Sequence, residues 1–242
     1  MRRALFSSLL LVLAAAGCSR TPANNPAPQA KAFGAAIVQV SGDKQAGTSG
    51  ATLDQPVVVQ VNDAQGNAVV GAAVALHGAD GVVFTPAEGL TDASGQFSTT
   101  VKLGETFGRY ELTATTRDQA GKSISLKLTE IALGYQQAWG RELNERYCNR
   151  CHDPESTPER VSNLDNLEHK PHAFTEGDTL NGLSDADLVS IITHGGPALN
   201  RSPEMPPYGY TLSKQQIQAL AAYIRAVADP PYHSAGVVYA KN

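Results

Sequence analysis

Methionine and cysteine are scarce in this chain, and each scarcity narrows its chemistry. Three cysteines in 242 residues cannot all pair with one another, so a complete disulfide framework is excluded and at least one thiol needs another use. Two methionines, one of them the initiator, leave Met205 as the lone thioether in the body of the chain. Basic charge is also short. The 19 Lys and Arg stand against 23 Asp and Glu, a net charge of −4, which argues against a nucleic-acid-binding surface. The apolar run from Ala4 to Ala16 is too short to cross a bilayer comfortably as a mature helix. What is present is ordinary in bulk. An apolar fraction of 42% supports a sizeable core, and the length suggests one or two domains.

The N-terminus carries an address. Arg2 and Arg3 precede that apolar run, which has the length of a secretory h-region. It ends in Ala15-Ala16-Gly17-Cys18, which resembles a bacterial lipobox. The resemblance implies a signal peptide over residues 1–17 and lipidation of Cys18, hence a membrane anchor. The alternative is a plain signal peptide cut elsewhere, with Cys18 incidental. Ser19 follows the cysteine where an Asp would retain a lipoprotein at the inner membrane. The expected location is therefore periplasmic or cell-surface, with the outer membrane favoured. Residues 18–34 are rich in Pro, Ala and Asn and show no apolar periodicity. They read as a disordered tether, and the Pro-rich stretch from Ser19 to Ala30 would reach roughly 30–40 Å.

From residue 35 to 132 the texture is all-β. Val57–Val61, Ala73–Leu76, Val82–Phe84, Phe97–Val101, Tyr110–Thr115 and Ile124–Leu128 are short strand-like runs, several alternating apolar with polar. Between them lie Asx- and Gly-rich clusters at Asp63–Asn67, Asp92–Gln96 and Asp118–Gly121, which predict tight turns rather than cation loops. Six or seven such strands predict a β-sandwich. The runs Asp63–Ala72, Thr91–Gln96 and Gly108–Ala114 resemble the invasin-type bacterial immunoglobulin-like domain. The resemblance implies a spacer or adhesive module without catalytic residues. His77 is isolated and carries no chemistry.

Beyond Tyr135 the periodicity becomes helical. Trp139, Leu143 and Tyr147 recur four apart and mark one helix face. Ser184-Asp185-Ala186-Asp187 predicts a helix start, with Leu188, Ile191 and Ile192 as its apolar face and Gly195-Gly196-Pro197 as its end. Ser213–Gln216 opens a last helix whose face is Ile217, Leu220, Ala221, Ile224 and Val227, stopped by Asp229-Pro230-Pro231. Residues 231–242 read as a tail.

Where the first helix ends stands Cys148-Asn149-Arg150-Cys151-His152. A C-x-x-C-H run is the attachment signature of c-type haem: each thiol forms a thioether with one vinyl group, and the imidazole ligates the iron. A redox-active thiol pair would expect a βαβ context, which is missing. A zinc site would want two further donors, for which His169, His172 and His194 are available. Haem on Cys148 and Cys151, with lipid on Cys18, accounts for every cysteine. For the sixth position Met205 sits among Pro203, Pro206 and Pro207, on a loop stiff enough to present a neutral sulfur. His194, His169 and His172 are its rivals.

From Gly140 to Val227 the sequence resembles a class I c-type cytochrome with one haem, within a domain bounded at residues 135–230. The resemblance implies thioethers at Cys148 and Cys151, His152 as proximal and Met205 as distal ligand. It further implies a crossing of first and last helices at Gly140, facing Leu220, Tyr223 and Ile224. Asn144 departs from the family's aromatic, with Trp139 or Tyr147 to compensate. A Pro carbonyl, of Pro154 or Pro158, is expected to accept the proximal imidazole N–H.

The expectation is a multidomain protein, an all-β immunoglobulin-like sandwich followed by an all-α cytochrome c domain. It would be a membrane-anchored electron carrier rather than an enzyme, exchanging electrons with redox partner proteins. A cytochrome subunit of a periplasmic dehydrogenase complex and a surface binding protein with ancillary haem are the alternatives. The nine Asp and Glu between Asp153 and Asp187, against Arg160 and Lys170, suggest either docking to a basic partner or a solvated loop.

Overall fold

The computed structural model describes residues 32–153 and 161–233. The expected signal peptide, the expected lipidation site Cys18, nearly all of the expected tether and most of the expected tail lie outside the described residues, as do Pro154 and Pro158.

Alternation along the strands produces two sheets whose apolar faces meet. β1 (Ala36–Ser41), β3 (Val57–Asn62), β7 (Gln96–Lys102) and β5 (Val83–Thr85) form one, in the order β1-β3-β7-β5. β2 (Ala46–Thr48), β9 (Ser123–Leu133), β8 (Gly108–Arg117), β4 (Ala73–Gly78) and β6 (Glu88–Leu90) form the other, in the order β2-β9-β8-β4-β6. Val57, Val59, Val61, Phe97 and Val101 of the first sheet share one buried cluster with Val74, Leu76, Leu112, Ala114 and Leu128 of the second. Every strand-like run of the sequence has its counterpart. β1, β2 and β6 are additional; β2 and β6 have only three residues each, too short to show a period. The Asx clusters act as turns: Asp63 Oδ1 accepts from the backbone N–H of Gln65 and Asn67 at 2.9 and 2.8 Å, and Asp92 Oδ1 does the same for Ser94 and Gln96. His77 is exposed.

β9 leads into the helical region through one residue, Gly134. There follow α1 (Tyr135–Tyr147), α2 (Asn149–His152), α3 (Gly177–Leu180), α4 (Asp185–His194) and α5 (Lys214–Val227). The two anticipated capping boxes are formed. Ser184 Oγ accepts from the Asp187 N–H at 3.1 Å, and Ser213 Oγ from the Gln216 N–H at 3.3 Å. Leu143, Leu188, Ile192, Ile217, Leu220 and Ile224 make the helical core. Trp139 and Tyr147 pack against it, and Asn144 is buried beside Asn149, whose side-chain oxygen accepts from its amide. α1 crosses α5 at Gly140, where a Cβ would lie 2.1 Å from the Ala219 carbonyl oxygen. Only a residue without a side chain lets the two backbones approach so closely.

The sandwich and the helices share a seam. Ile131 and Leu133, on the outer side of β9, are buried with Val227 of α5. Arg109 of β8 donates to the carbonyls of Ala226 and Ala228 at the end of α5, where orphan carbonyls and the helix dipole favour a cation. Arg141 of α1 donates to the Ala46 carbonyl at 2.7 Å and to Asp54 at 2.6 Å. No helix among the described residues is long and apolar enough to cross a membrane.

Candidate functional site

The C-x-x-C-H run folds as a helical turn. The N–H groups of Cys151 and His152 both donate to the Cys148 carbonyl at 3.0 Å, so positions i, i+3 and i+4 share one side. That side faces a cavity of about 590 Å³, open at one edge, which Cys148, Cys151 and His152 line together with Leu180, Leu188, Ile192, Leu220 and Ile224. Met205 lines it too, as do His169, His172 and Tyr208. His194 is absent from its wall.

His152 is fixed from two directions. Its Nδ1 lies 2.7 Å from the His172 carbonyl oxygen. A carbonyl only accepts, so Nδ1 carries the proton and Nε2 keeps its lone pair. Its ring stacks on Phe174, with centroids 4.6 Å apart and planes 25° from parallel. Burial holds its pKa below the ordinary value, which keeps the imidazole neutral. A carbonyl partner is supplied by His172, twenty residues along the chain; Pro154 and Pro158, from which one was expected, lie outside the described residues. His172 and Phe174 lie against the ring, and sequence spacing cannot show that approach.

Cys148 and Cys151 are not joined to each other by a disulfide. Burial pushes Cys148 up to about 12, the opposite of the depressed value of a redox-active thiol. Among the described residues no three His, Cys, Asp or Glu side chains gather to hold a metal ion, so the zinc reading finds no fourth corner.

Met205 is placed by the end of α4. The Gly196 N–H donates to the Met205 carbonyl at 3.1 Å, and the N–H groups of Tyr208 and Gly209 donate to the carbonyls of Ile192 and Thr193 at 3.0 and 2.9 Å. The loop therefore caps the helix terminus while presenting its thioether. A Cβ on Gly196 would sit 1.9 Å from the Ser202 carbonyl oxygen, so this loop needs glycine there. Tyr208 donates to the Tyr147 carbonyl at 2.9 Å and joins the Met205 loop to the turn that bears the cysteines. Of the rival histidines, His169 is exposed. His172 has its Nδ1 engaged by Glu176 at 2.8 Å, and its backbone serves His152. Phe174 and the His172 carbonyl are the site features that sequence reasoning missed; a lone aromatic inside a polar stretch was the available signal.

Two thiols, a neutral imidazole with a free Nε2 and a thioether on the wall of one largely apolar cavity form a donor set that fits haem c. The volume lies within the usual range for cofactor pockets. Residues 136–224 match the family model described as cytochrome c oxidase, cbb3-type, subunit III. The C-terminal region is thus a cytochrome c domain, of the kind that carries electrons on haem c. No curated protein matches the chain. Among solved structures it is similar to the D00-D0 domain of intimin, with 15% identity over 46% of this chain and 51% of that one and a TM-score of 0.32. It is also similar to invasin, a bacterial integrin-binding protein, with 21% identity over 40% and 19% and a TM-score of 0.29. A third is a glycosyl hydrolase family 2 member from Bacteroides cellulosilyticus, with 14% identity over 42% and 14% and a TM-score of 0.31. The chain spans about half the length of the intimin fragment.

Proposed function

We propose that this protein is a membrane-anchored electron carrier with one haem c, attached through Cys148 and Cys151 and ligated by His152 and Met205. The single observation supporting this is that those four side chains line the same apolar cavity. Bound there, haem supplies a reversible one-electron couple. The chain's own residues do the rest. The His172 carbonyl orients His152 and strengthens it as a donor. Met205 offers a neutral sulfur, which favours the reduced state. Leu188, Ile192 and Leu220 keep water from the site. His152 and Met205 would both hold the haem iron, which would leave substrate no access to it; this is why we read a carrier and not an enzyme.

In the same reading Cys18 carries lipid and holds the protein outside the cytoplasm, in the periplasm or at the cell surface. Along the sequence the immunoglobulin-like sandwich lies between the expected tether and the haem module, and electrons pass to and from redox partner proteins. The acidic stretch is a weak guide to those partners, because Asp165 pairs with Lys170, Glu176 with His172 and Asp185 with Arg225. The test is expression with c-type haem maturation. Haem that resists acid-acetone extraction in the parent, and not in Cys148→Ala/Cys151→Ala, is expected; extractable haem in the parent would overturn the reading.

The family model names an oxidase subunit, and this favours a second reading, a cytochrome subunit of a larger oxidoreductase complex. Co-purification of a catalytic subunit with the native protein decides for it.

A further inference from the structure

We propose that Phe174 and Glu176 are positioning residues through which the sandwich supports the proximal ligand, so that the seam between sheet and helices tunes the haem potential. The inference rests on His152 as that ligand.

The peptide group joining His172 to Ala173 is gripped at both ends. Its oxygen accepts from His152 Nδ1 at 2.7 Å, and its N–H donates to Glu176 Oε1 at 3.1 Å. The other carboxylate oxygen of Glu176 lies 2.8 Å from His172 Nδ1. A carboxylate on the N–H side polarises the peptide and makes its carbonyl a better acceptor, because linked hydrogen bonds strengthen one another. A better acceptor draws the Nδ1 proton, makes the imidazole more basic and stabilises the oxidised iron.

This grip is anchored on the sandwich by two routes. Phe174 stacks on His152 with one face and packs both in the helical core and in the cluster that Ile131 and Leu133 of β9 form with Val227. The turn that carries Glu176 is sewn to the chain after α5: the Asp229 N–H donates to the Thr175 carbonyl at 2.9 Å, and the Gly177 N–H to the Asp229 carbonyl at 3.0 Å. That chain end is what the sandwich holds, through Arg109 on the Ala226 and Ala228 carbonyls and through Lys44 on Asp229 at 2.7 Å. Two β-strand residues, Ile131 and Arg109, thus stand one intermediary from the segment that orients His152. A mere spacer has no need of either contact.

The experiment measures midpoint potentials by spectroelectrochemistry on the haem-loaded full chain. Glu176→Ala is expected to raise the potential, shifting the reduced-to-oxidised ratio at fixed poise by about tenfold, which is about 59 mV for one electron. Glu176→Gln keeps an acceptor for the Ala173 N–H but loses the charge, and restores only about half of that shift. Arg109→Lys keeps the charge but loses the fork, and moves the ratio about two- to threefold in the same direction. Lys127→Ala, on the exposed face of β9, leaves it unchanged. Haem-loaded Glu176→Ala with the parental potential overturns the proposal; should that variant lose its haem, a parental potential in Glu176→Gln and Arg109→Lys together does so. A shift in Glu176→Ala with none in Arg109→Lys removes the sandwich from the account. Absence of covalent haem in the parent overturns the underlying reading, and this inference with it.

Discussion

Gly140 of α1 rests against the Ala219 carbonyl of α5 so closely that an added methyl carbon would stand 2.1 Å from the oxygen. The neighbouring atoms are backbone and the Tyr223 Cβ at 2.7 Å, and none can swing away. Gly140→Ala therefore forces the two helices apart. A loss of about 2–4 kcal/mol is expected in urea unfolding, at the upper end of overpacking costs.

Met205 is the side chain whose replacement should change the chemistry without harming the fold, since it is only half-buried. Met205→Ala is expected to abolish the weak near-infrared thioether–iron band and to let the reduced protein bind carbon monoxide at neutral pH. Met205→His is expected to lower the potential by a sizeable part of the roughly 0.8 V range that axial ligands command. A near-infrared band that survives in Met205→Ala would assign the sixth position elsewhere.

Glu130 is fully buried in β9, with Oε2 accepting from the Gln45 N–H at 2.8 Å and Oε1 without a partner. Burial raises its pKa from 4.5 to about 8. Between those values the native protein keeps a proton that the unfolded chain has released. Its contribution is present in full below pH 4.5 and drains away as the pH rises through 8. Glu130→Gln, neutral throughout, should lose that slope and exceed the parent by on the order of 3–5 kcal/mol at pH 9. Urea melts at pH 5 and pH 9 make the comparison.

Arg225 of α5 donates to the carbonyls of Leu180 and Leu183 and to Asp185, with its side chain almost covered. Arg225→Ala takes the guanidinium from the Leu183 carbonyl and leaves the Leu180 carbonyl, at the end of α3, with the Leu183 N–H at 3.2 Å. The expected cost is about 1–3 kcal/mol, read by thermal unfolding, with Arg225→Lys recovering only part of it.

The order of the chain, strands then helices, was legible because period two and period 3.6 differ over a few residues. So were both capping boxes and the helical turn of thiols and imidazole, since their parts lie within five positions of one another. Strands β1, β2 and β6, the His172 carbonyl and Phe174 were not, because each depends on where a distant segment returns. By itself, then, the sequence named the candidate donors: Cys148, Cys151 and His152 on one turn, and Met205 as the lone thioether. Tertiary structure alone decided which backbone orients His152, how α4 offers Met205, and that the sandwich is bound to the helices by Arg109, Ile131 and Leu133. Those are contacts between residues tens of positions apart, and packing, not local spacing, sets them.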